Sequence, residues 1–224
     1  MSVLRVSLQV AAMPLPWVLR RLVLNKILGF EIVPSASIGY SILDVKILKM
    51  SKGSRIGHLT YAKSLTELRL ESFARLGNLN WITGFSSTDR RAFSTEIDRN
   101  PALLIGMHSA ITNRHLLDCT NEVRIGTHST IAGWRTQILT HGIDIKLSRQ
   151  TSRPVVIGSY CFVGTGSILL KGCRLPDRSV LSAGSVLNTQ ESEECALYAG
   201  VPARKVRDLA PDSVYFTRRE GFVV

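Results

Sequence analysis

From Ile157 onward the chain repeats every six residues: IGSYCF, VGTGSI, LLKGCR, LPDRSV, LSAGSV, LNTQES. Each unit opens on an aliphatic residue: Ile157, Val163, Leu169, Leu175, Leu181, Leu187. The fifth position is small in consecutive units, at Cys161, Ser167, Cys173, Ser179 and Ser185. A helix repeats near 3.6 residues and a strand near 2, so neither alone makes this pattern. One short strand plus one turn does, with the aliphatic residue pointing inward and the small one fitting a tight corner. Three units close a triangular coil, and coils stack at the interstrand spacing of roughly 4.8 Å. One coil cannot bury its own aliphatic row, so several must stack. The expected class is all-β, a parallel β-helix of hexapeptide repeats.

The same grammar runs upstream. Ile105, Ile111 and Leu117 share the spacing, as do Ile125 and Ile131, and Leu70, Leu76 and Ile82. Ile38 and Ile56 lie one full coil apart. The array therefore spans 32–190 and ends where Glu191 takes a small-residue position. An N-terminal amphipathic helical segment, 1–31, precedes it, and a C-terminal extension, 191–224, follows. Two polar stretches, 86–101 and 141–154, interrupt the array and read as loops. Loops on a rigid scaffold commonly carry chemistry, although the first is preferred as a tolerated insertion. Between Ile131 and Ile138 the chain has one residue more than the hexad allows, which puts the local shape before His141 in question.

Residues 16–28 read as a helix with proline in its first turn. The preferred role is a cap on the end of the domain; the alternative is an interfacial helix on an anionic membrane. Pro14, Pro16 and the Arg20-Arg21 pair break the apolar runs, so no stretch reaches the about 20 apolar residues of a membrane span. The match to a signal peptide is poor. Lys and Arg number 28 against 17 acids, a net charge of +11. That sign suits nucleic acid, an anionic membrane surface or a phosphorylated ligand. No aromatic stacking surface or motif supports nucleic acid. The four cysteines form no C-x-x-C pair, which argues against a disulfide framework or zinc site and makes cytoplasm the default. Cys161 and Cys173 fill small inward positions, where cysteine acts as a small apolar residue. His115 also stands at a fifth position, which favours a structural role.

The stretch PVVIGSYCFVGTGSILLKGCRLPDRSVLSAGSVL, followed by YAGVPARKVR, resembles the hexapeptide-repeat acyltransferases with a left-handed parallel β-helix. Above all it resembles the O-acetyltransferases of exopolysaccharide and lipopolysaccharide biosynthesis, and galactoside acetyltransferase, over roughly residues 30 to 208. The resemblance implies a homotrimer with active sites between neighbouring subunits. It implies acetyl-CoA in the groove between two β-helices, no metal, and a sugar or lipid-linked oligosaccharide acceptor. The enzyme would be cytoplasmic, or peripheral at the inner face of the membrane if the N-terminal helix binds there. One catalytic histidine precedes a PVxIG coil in the family, and His141 in ILTHGID holds that place. Thr165, Ala183, Arg204 and Arg207 match cofactor-binding positions, and Asn113 matches an acceptor-binding asparagine. Asn188-Thr189 and Phe162 depart from the family pattern, the first at a phosphate contact.

The implied chemistry is direct O-acylation. A sugar hydroxyl is protonated at pH 7, and an imidazole with pKa near 6.5 can take its proton and return it to the leaving thiolate. Backbone N–H groups of nearby coils would steady the oxyanion. Asp118 and Asp144 are the candidates to orient the ring. Three other readings compete. Serine acetyltransferase also ends in GVPAR, but its helical N-terminal domain and GDRHP-like segment are not visible. A γ-type carbonic anhydrase needs three zinc-binding histidines, and no histidine follows His141. A non-catalytic β-helix scaffold would need neither the GVPAR end nor the histidine loop.

Overall fold

The first position of each hexad points inward and is buried: Ile157, Val163, Leu169, Leu175, Leu181 and Leu187 are at most 1% exposed. The chain, seen in a computed structural model that describes residues 3–88, 91–96 and 98–221, winds these rows into a parallel β-helix. Residues 89, 90 and 97 of the 86–101 stretch, 1–2 of the N-terminal segment and 222–224 of the C-terminal one lie outside the described residues.

Each coil contributes a strand to three faces. Along the first run Ser37–Ile38, Arg55–Ile56, Arg75–Leu76, Ala110–Ile111, Thr130–Ile131, Phe162–Val163 and Val180–Leu181. The second carries Trp81–Thr83, Leu116–Asp118, Gln137–Leu139, Ile168–Leu169 and Val186–Leu187. The third carries Ala102–Ile105, Val123–Ile125, Val155–Ile157 and Arg174–Leu175. Nearer the N-terminus, Ile42–Met50 and Tyr61–Leu70 each bend from the second face onto the third, with a register shift after Asp44. Ladder partners belong to successive coils, so like positions stack: Ile111 on Ile131, Ile131 on Val163, Val163 on Leu181. The fifth-position residues Ser167, Ser179 and Ser185 are buried at the corners, and the Ser167 hydroxyl donates to the Gly164 and Ser182 carbonyls. Glycine at Gly77 has a steric cause: a Cβ there would stand 2.3 Å from the Thr112 carbonyl oxygen on the next coil.

Both insertions leave at one corner, between the second and third faces. One departs after Thr83 and returns at Ala102; the other departs after Leu139 and returns at Val155. The coil between them turns directly through Asp118, Cys119 and Thr120. The extra residue before Ile138 does not propagate. It is absorbed at another corner, where Gly133 and Arg135 take φ of 68° and 62° and Trp134 turns outward. Gln137–Leu139 then pairs in register with Leu116–Asp118.

The N-terminal segment forms two helices, α1 (Val3–Ala12) and α2 (Trp17–Leu28). Leu24 and Leu28 enter the core, so the segment packs on the first coil. Here an edge strand would otherwise present unpaired backbone groups. The Gln9 amide meets that need: Oε1 accepts from Leu43 N–H at 2.9 Å and Nε2 donates to the Leu43 carbonyl at 3.0 Å. Other helix side chains remain outward, including Val3, Leu4, Val18, Leu19 and Ile27. No helix among the described residues is long and apolar enough to cross a membrane. At the opposite end, the hairpin of Ala196–Gly200 and Ala203–Asp208 adds one more strand to the first face and buries Tyr198 over the last coil.

Candidate active site

The register of the second face decides the site. Asp118 ends its strand opposite Leu139, one coil on. The next residues of that coil, Thr140 and His141, therefore arrive above the Asp118 carboxylate. Oδ2 accepts from the Thr140 N–H at 2.9 Å, from the His141 N–H at 3.0 Å and from His141 Nδ1 at 2.6 Å. Oδ1 accepts from the Thr120 N–H at 3.0 Å and its hydroxyl at 2.5 Å. Burial pushes the Asp118 pKa up, but the hydrogen bonds from His141 and Thr120 outweigh it, so the carboxyl is held below its ordinary value. An ionised carboxylate only accepts. In the neutral ring the proton therefore sits on Nδ1, which leaves the Nε2 lone pair able to accept. Among the described residues no hydrogen bond engages Nε2, and the His141 side chain is 31% exposed.

The two insertions build the surroundings. His141 opens a hairpin of His141–Asp144 and Arg149–Ser152, with His141 paired to Ser152. The first insertion lies against it. Phe85 and Phe93 stand edge-on to the His141 ring, with centroids 5.6 and 6.1 Å away, and pack on each other at 5.3 Å. Arg99 covers the Phe93 ring and donates to the Phe85 and Ser86 carbonyls. Glu96 accepts from the Ser152 N–H at 2.8 and 2.7 Å and also bonds the Ser152 hydroxyl. The 86–101 stretch, preferred above as a tolerated insertion, thus walls the histidine and ties to its hairpin. The resulting cleft holds about 420 Å³ and is lined by Lys63, Thr83, Phe85, Asp118, Thr120 and His141, among others. Asp144 caps its own turn by accepting from the Leu147 N–H; of the two candidate orienting groups, Asp118 is the one at the ring.

The other sequence-derived positions fall elsewhere. Asn113, Thr165 and Ala183 share one corner, between the first and second faces, at the far edge of the second face from His141. Asn113 Oδ1 accepts from the Asn78 N–H at 2.7 Å, and the Thr165 hydroxyl bridges the Trp134 N–H and carbonyl. Ala183 is exposed. Arg204 and Arg207 lie exposed on the C-terminal hairpin. Within one chain the histidine and this second group are therefore apart. His115 is buried, with Nδ1 accepting from the Thr136 N–H at 3.1 Å and Nε2 meeting the Thr112 hydroxyl at 2.9 Å. Among the described residues no three His, Cys, Asp or Glu side chains gather to hold a metal ion.

No family model and no curated protein matches the sequence. Solved structures do. The polysialic acid O-acetyltransferase OatWY is 16% identical, with 80% of this chain and 84% of that chain covered, at a TM-score of 0.60. The hexapeptide-repeat containing acetyltransferase VCA0836 from Vibrio cholerae is 19% identical, covering 92% and 89%, at 0.49. A maltose O-acetyltransferase from Clostridium difficile 630 is 15% identical, covering 92% and 85%, at 0.47. The likeness to the first establishes the fold, the left-handed parallel β-helix of hexapeptide repeats that the sequence led us to expect.

Proposed function

We propose that this chain is an acyl-CoA-dependent O-acyltransferase that acetylates a sugar hydroxyl in exopolysaccharide or lipopolysaccharide biosynthesis. The observation that carries the reading is the Asp118–His141 pair, with Nδ1 held at 2.6 Å and Nε2 left toward a cleft. This is the arrangement a general base requires, since the carboxylate fixes the tautomer and stabilises the imidazolium that forms. A fold shared with a polysialic acid O-acetyltransferase supports the choice of chemistry.

In this mechanism the acceptor hydroxyl enters the cleft and His141 Nε2 takes its proton. The hydroxyl oxygen attacks the thioester carbonyl directly, with no acyl-enzyme. Collapse of the tetrahedral intermediate breaks the carbon–sulfur bond, and the imidazolium returns the proton to the CoA thiolate. The products are the acetyl ester and CoA thiol. Thr165 and Ala183 would meet the pantetheine arm, Arg204 and Arg207 the phosphates of CoA, and Asn113 the acceptor. Those residues stand apart from His141 in one chain, which suits a homotrimer in which one copy's histidine corner meets its neighbour's Asn113 corner. We place the enzyme in the cytoplasm, where acyl-CoA is made. A lipid-linked acceptor would bring it to the inner face of the membrane through the exposed apolar side chains of α1 and α2.

Release of CoA thiol from acetyl-CoA, followed with a panel of sugar acceptors, tests the reaction. His141→Ala should leave the assembly folded and CoA bound while transfer falls by orders of magnitude; near-normal turnover would reject the assignment. Calorimetry with CoA and its 3′-dephospho analogue tests Arg204 and Arg207. Sedimentation of the native protein tests the trimer, and vesicle flotation of a chain lacking α1 and α2 tests the membrane contact.

A further inference from the structure

A second groove lies on the first face near the N-terminus, under the turn that joins α1 to α2. It holds about 580 Å³ and shares no lining residue with the His141 cleft. Its charged lining residues are Arg20, Arg55 and Arg75, with His58 beside neutral Ser37, Tyr40 and Asn78, and no aspartate or glutamate is among the lining residues. Arg55 and Arg75 are exposed register partners on adjacent strands.

Arg20 adds an independent observation. It is 4% exposed, and its guanidinium lies 5.9 Å over the Trp17 ring. One Nη1 donates to the Ile38 carbonyl at 3.3 Å, while the buried Nε has no partner. No carboxylate among the described residues forms an ion pair with it. Buried charges are normally paired, because desolvating an uncompensated one is costly. A buried guanidinium without a carboxylate, beside the Arg55 guanidinium and the His58 imidazole, calls for an anion from outside the chain. Guanidinium forks match phosphate oxygens in geometry as well as charge. Met13, Leu15 and Trp17 on the same groove offer an apolar wall for an organic substituent.

We propose that this groove binds a phosphate or diphosphate monoester, held by Arg20 and Arg55 with its organic part against Met13, Leu15 and Trp17. The site is separate from the proposed acyl-transfer cleft, and its occupation is measured without turnover.

The test uses the full chain and inorganic diphosphate as the calorimetric probe, with phosphatidylcholine vesicles with and without phosphatidic acid as the second arm. Wild type should bind diphosphate saturably and melt at a higher temperature in its presence. Arg55→Gln should weaken binding by about tenfold or more. Arg20→Met should fold, lose the diphosphate-dependent rise in melting temperature, and thereby exclude mere loss of surface charge. Arg204→Gln with Arg207→Gln should bind diphosphate as wild type does, which separates this site from the proposed contacts to the CoA phosphates. Vesicle binding that needs phosphatidic acid and is competed by diphosphate assigns the phosphate to a lipid headgroup; diphosphate binding alone assigns it to a free ligand. The proposal is overturned if neither probe binds saturably. It is equally overturned if Arg55→Gln and Arg20→Met bind unchanged, or if Arg174→Gln, an exposed arginine on the third face, weakens binding as much.

Discussion

Asp118 and His141 lie 23 residues apart in sequence, yet one carboxylate oxygen of the first receives both the backbone N–H and the ring Nδ1 of the second. The pairing follows from coil stacking, because the strand that ends at Asp118 runs in register below the one that delivers His141. Replacing Asp118 by asparagine keeps the size but removes the charge that fixes the tautomer. An amide NH2 would also face the donors of Thr140 and His141. The expected result is a fall in kcat of roughly 10²- to 10⁴-fold with little change in KM, measured as CoA thiol release. A loss confined to KM would mean that Asp118 serves binding and not the base.

His115 gives a pH dependence of stability that is independent of the reaction. Burial pushes its pKa from 6.5 down to about 4, and the Thr136 N–H aimed at Nδ1 holds the ring neutral. The unfolded chain binds a proton near pH 6.5 and the folded chain does not. Above that pH the ring is neutral in both states and its contribution is fully present. As pH falls from about 6.5 toward 4 the unfolded state gains protons first, so stability is lost, by on the order of 3 kcal/mol in total. Asp118 acts lower: its depressed pKa gives stability present above the ordinary carboxylate value and lost as pH falls below it. Urea midpoints at pH 7 and pH 5 should therefore differ in wild type and differ less in His115→Gln, the remainder coming from groups such as His128, whose pKa burial also lowers. An unchanged slope in that variant would reject the buried neutral ring as the cause.

The hexad made the fold legible because each of its positions answers to a local rule: inward aliphatic, small corner, turn. It located His141 at the exit from a coil for the same reason. What it did not convey depends on contacts between coils and insertions. Asp118 could not be chosen over Asp144 from sequence, since its role rests on registry with Leu139. Phe85, Phe93 and Glu96 sit in a polar stretch with no period, and only the shared exit corner brings them to His141. Gln9 gave no signal either, because a side-chain amide standing in for a strand is visible only against the Leu43 backbone that it pairs.

The cysteines make a compact test of the core. Cys161 and Cys173 are at most 1% exposed, and burial pushes both thiols up to about 12, with Cys119 also raised by burial. Thiolate is the reactive form. In the native protein at pH 8 a thiol reagent should label Cys195 alone, and all four cysteines should react in denaturant. Mass spectrometry of the labelled peptides reads the outcome, and rapid native labelling of Cys161 or Cys173 would contradict the packed coil interior.

The last prediction concerns the tie between the two insertions. Glu96 accepts the Ser152 N–H, and Ser152 pairs with His141 across the hairpin. The contact thus joins the wall that carries Phe93 to the strand opposite the histidine. In Glu96→Ala the Ser152 N–H is left without its acceptor in a site only 7% exposed, a loss worth about 1–3 kcal/mol when a buried donor goes unsatisfied. Much of that cost should appear as local opening, because the coils beneath keep their own ladders. Amide exchange should therefore quicken at Arg149–Ser152 and leave Gln137–Leu139 protected. Transfer should fall through misplacement of the ring, and Glu96→Gln, which keeps one acceptor oxygen, should recover part of both effects. Equal exchange at Arg149–Ser152 in wild type and Glu96→Ala would show that the hairpin holds itself, and that the first insertion covers the site without positioning it.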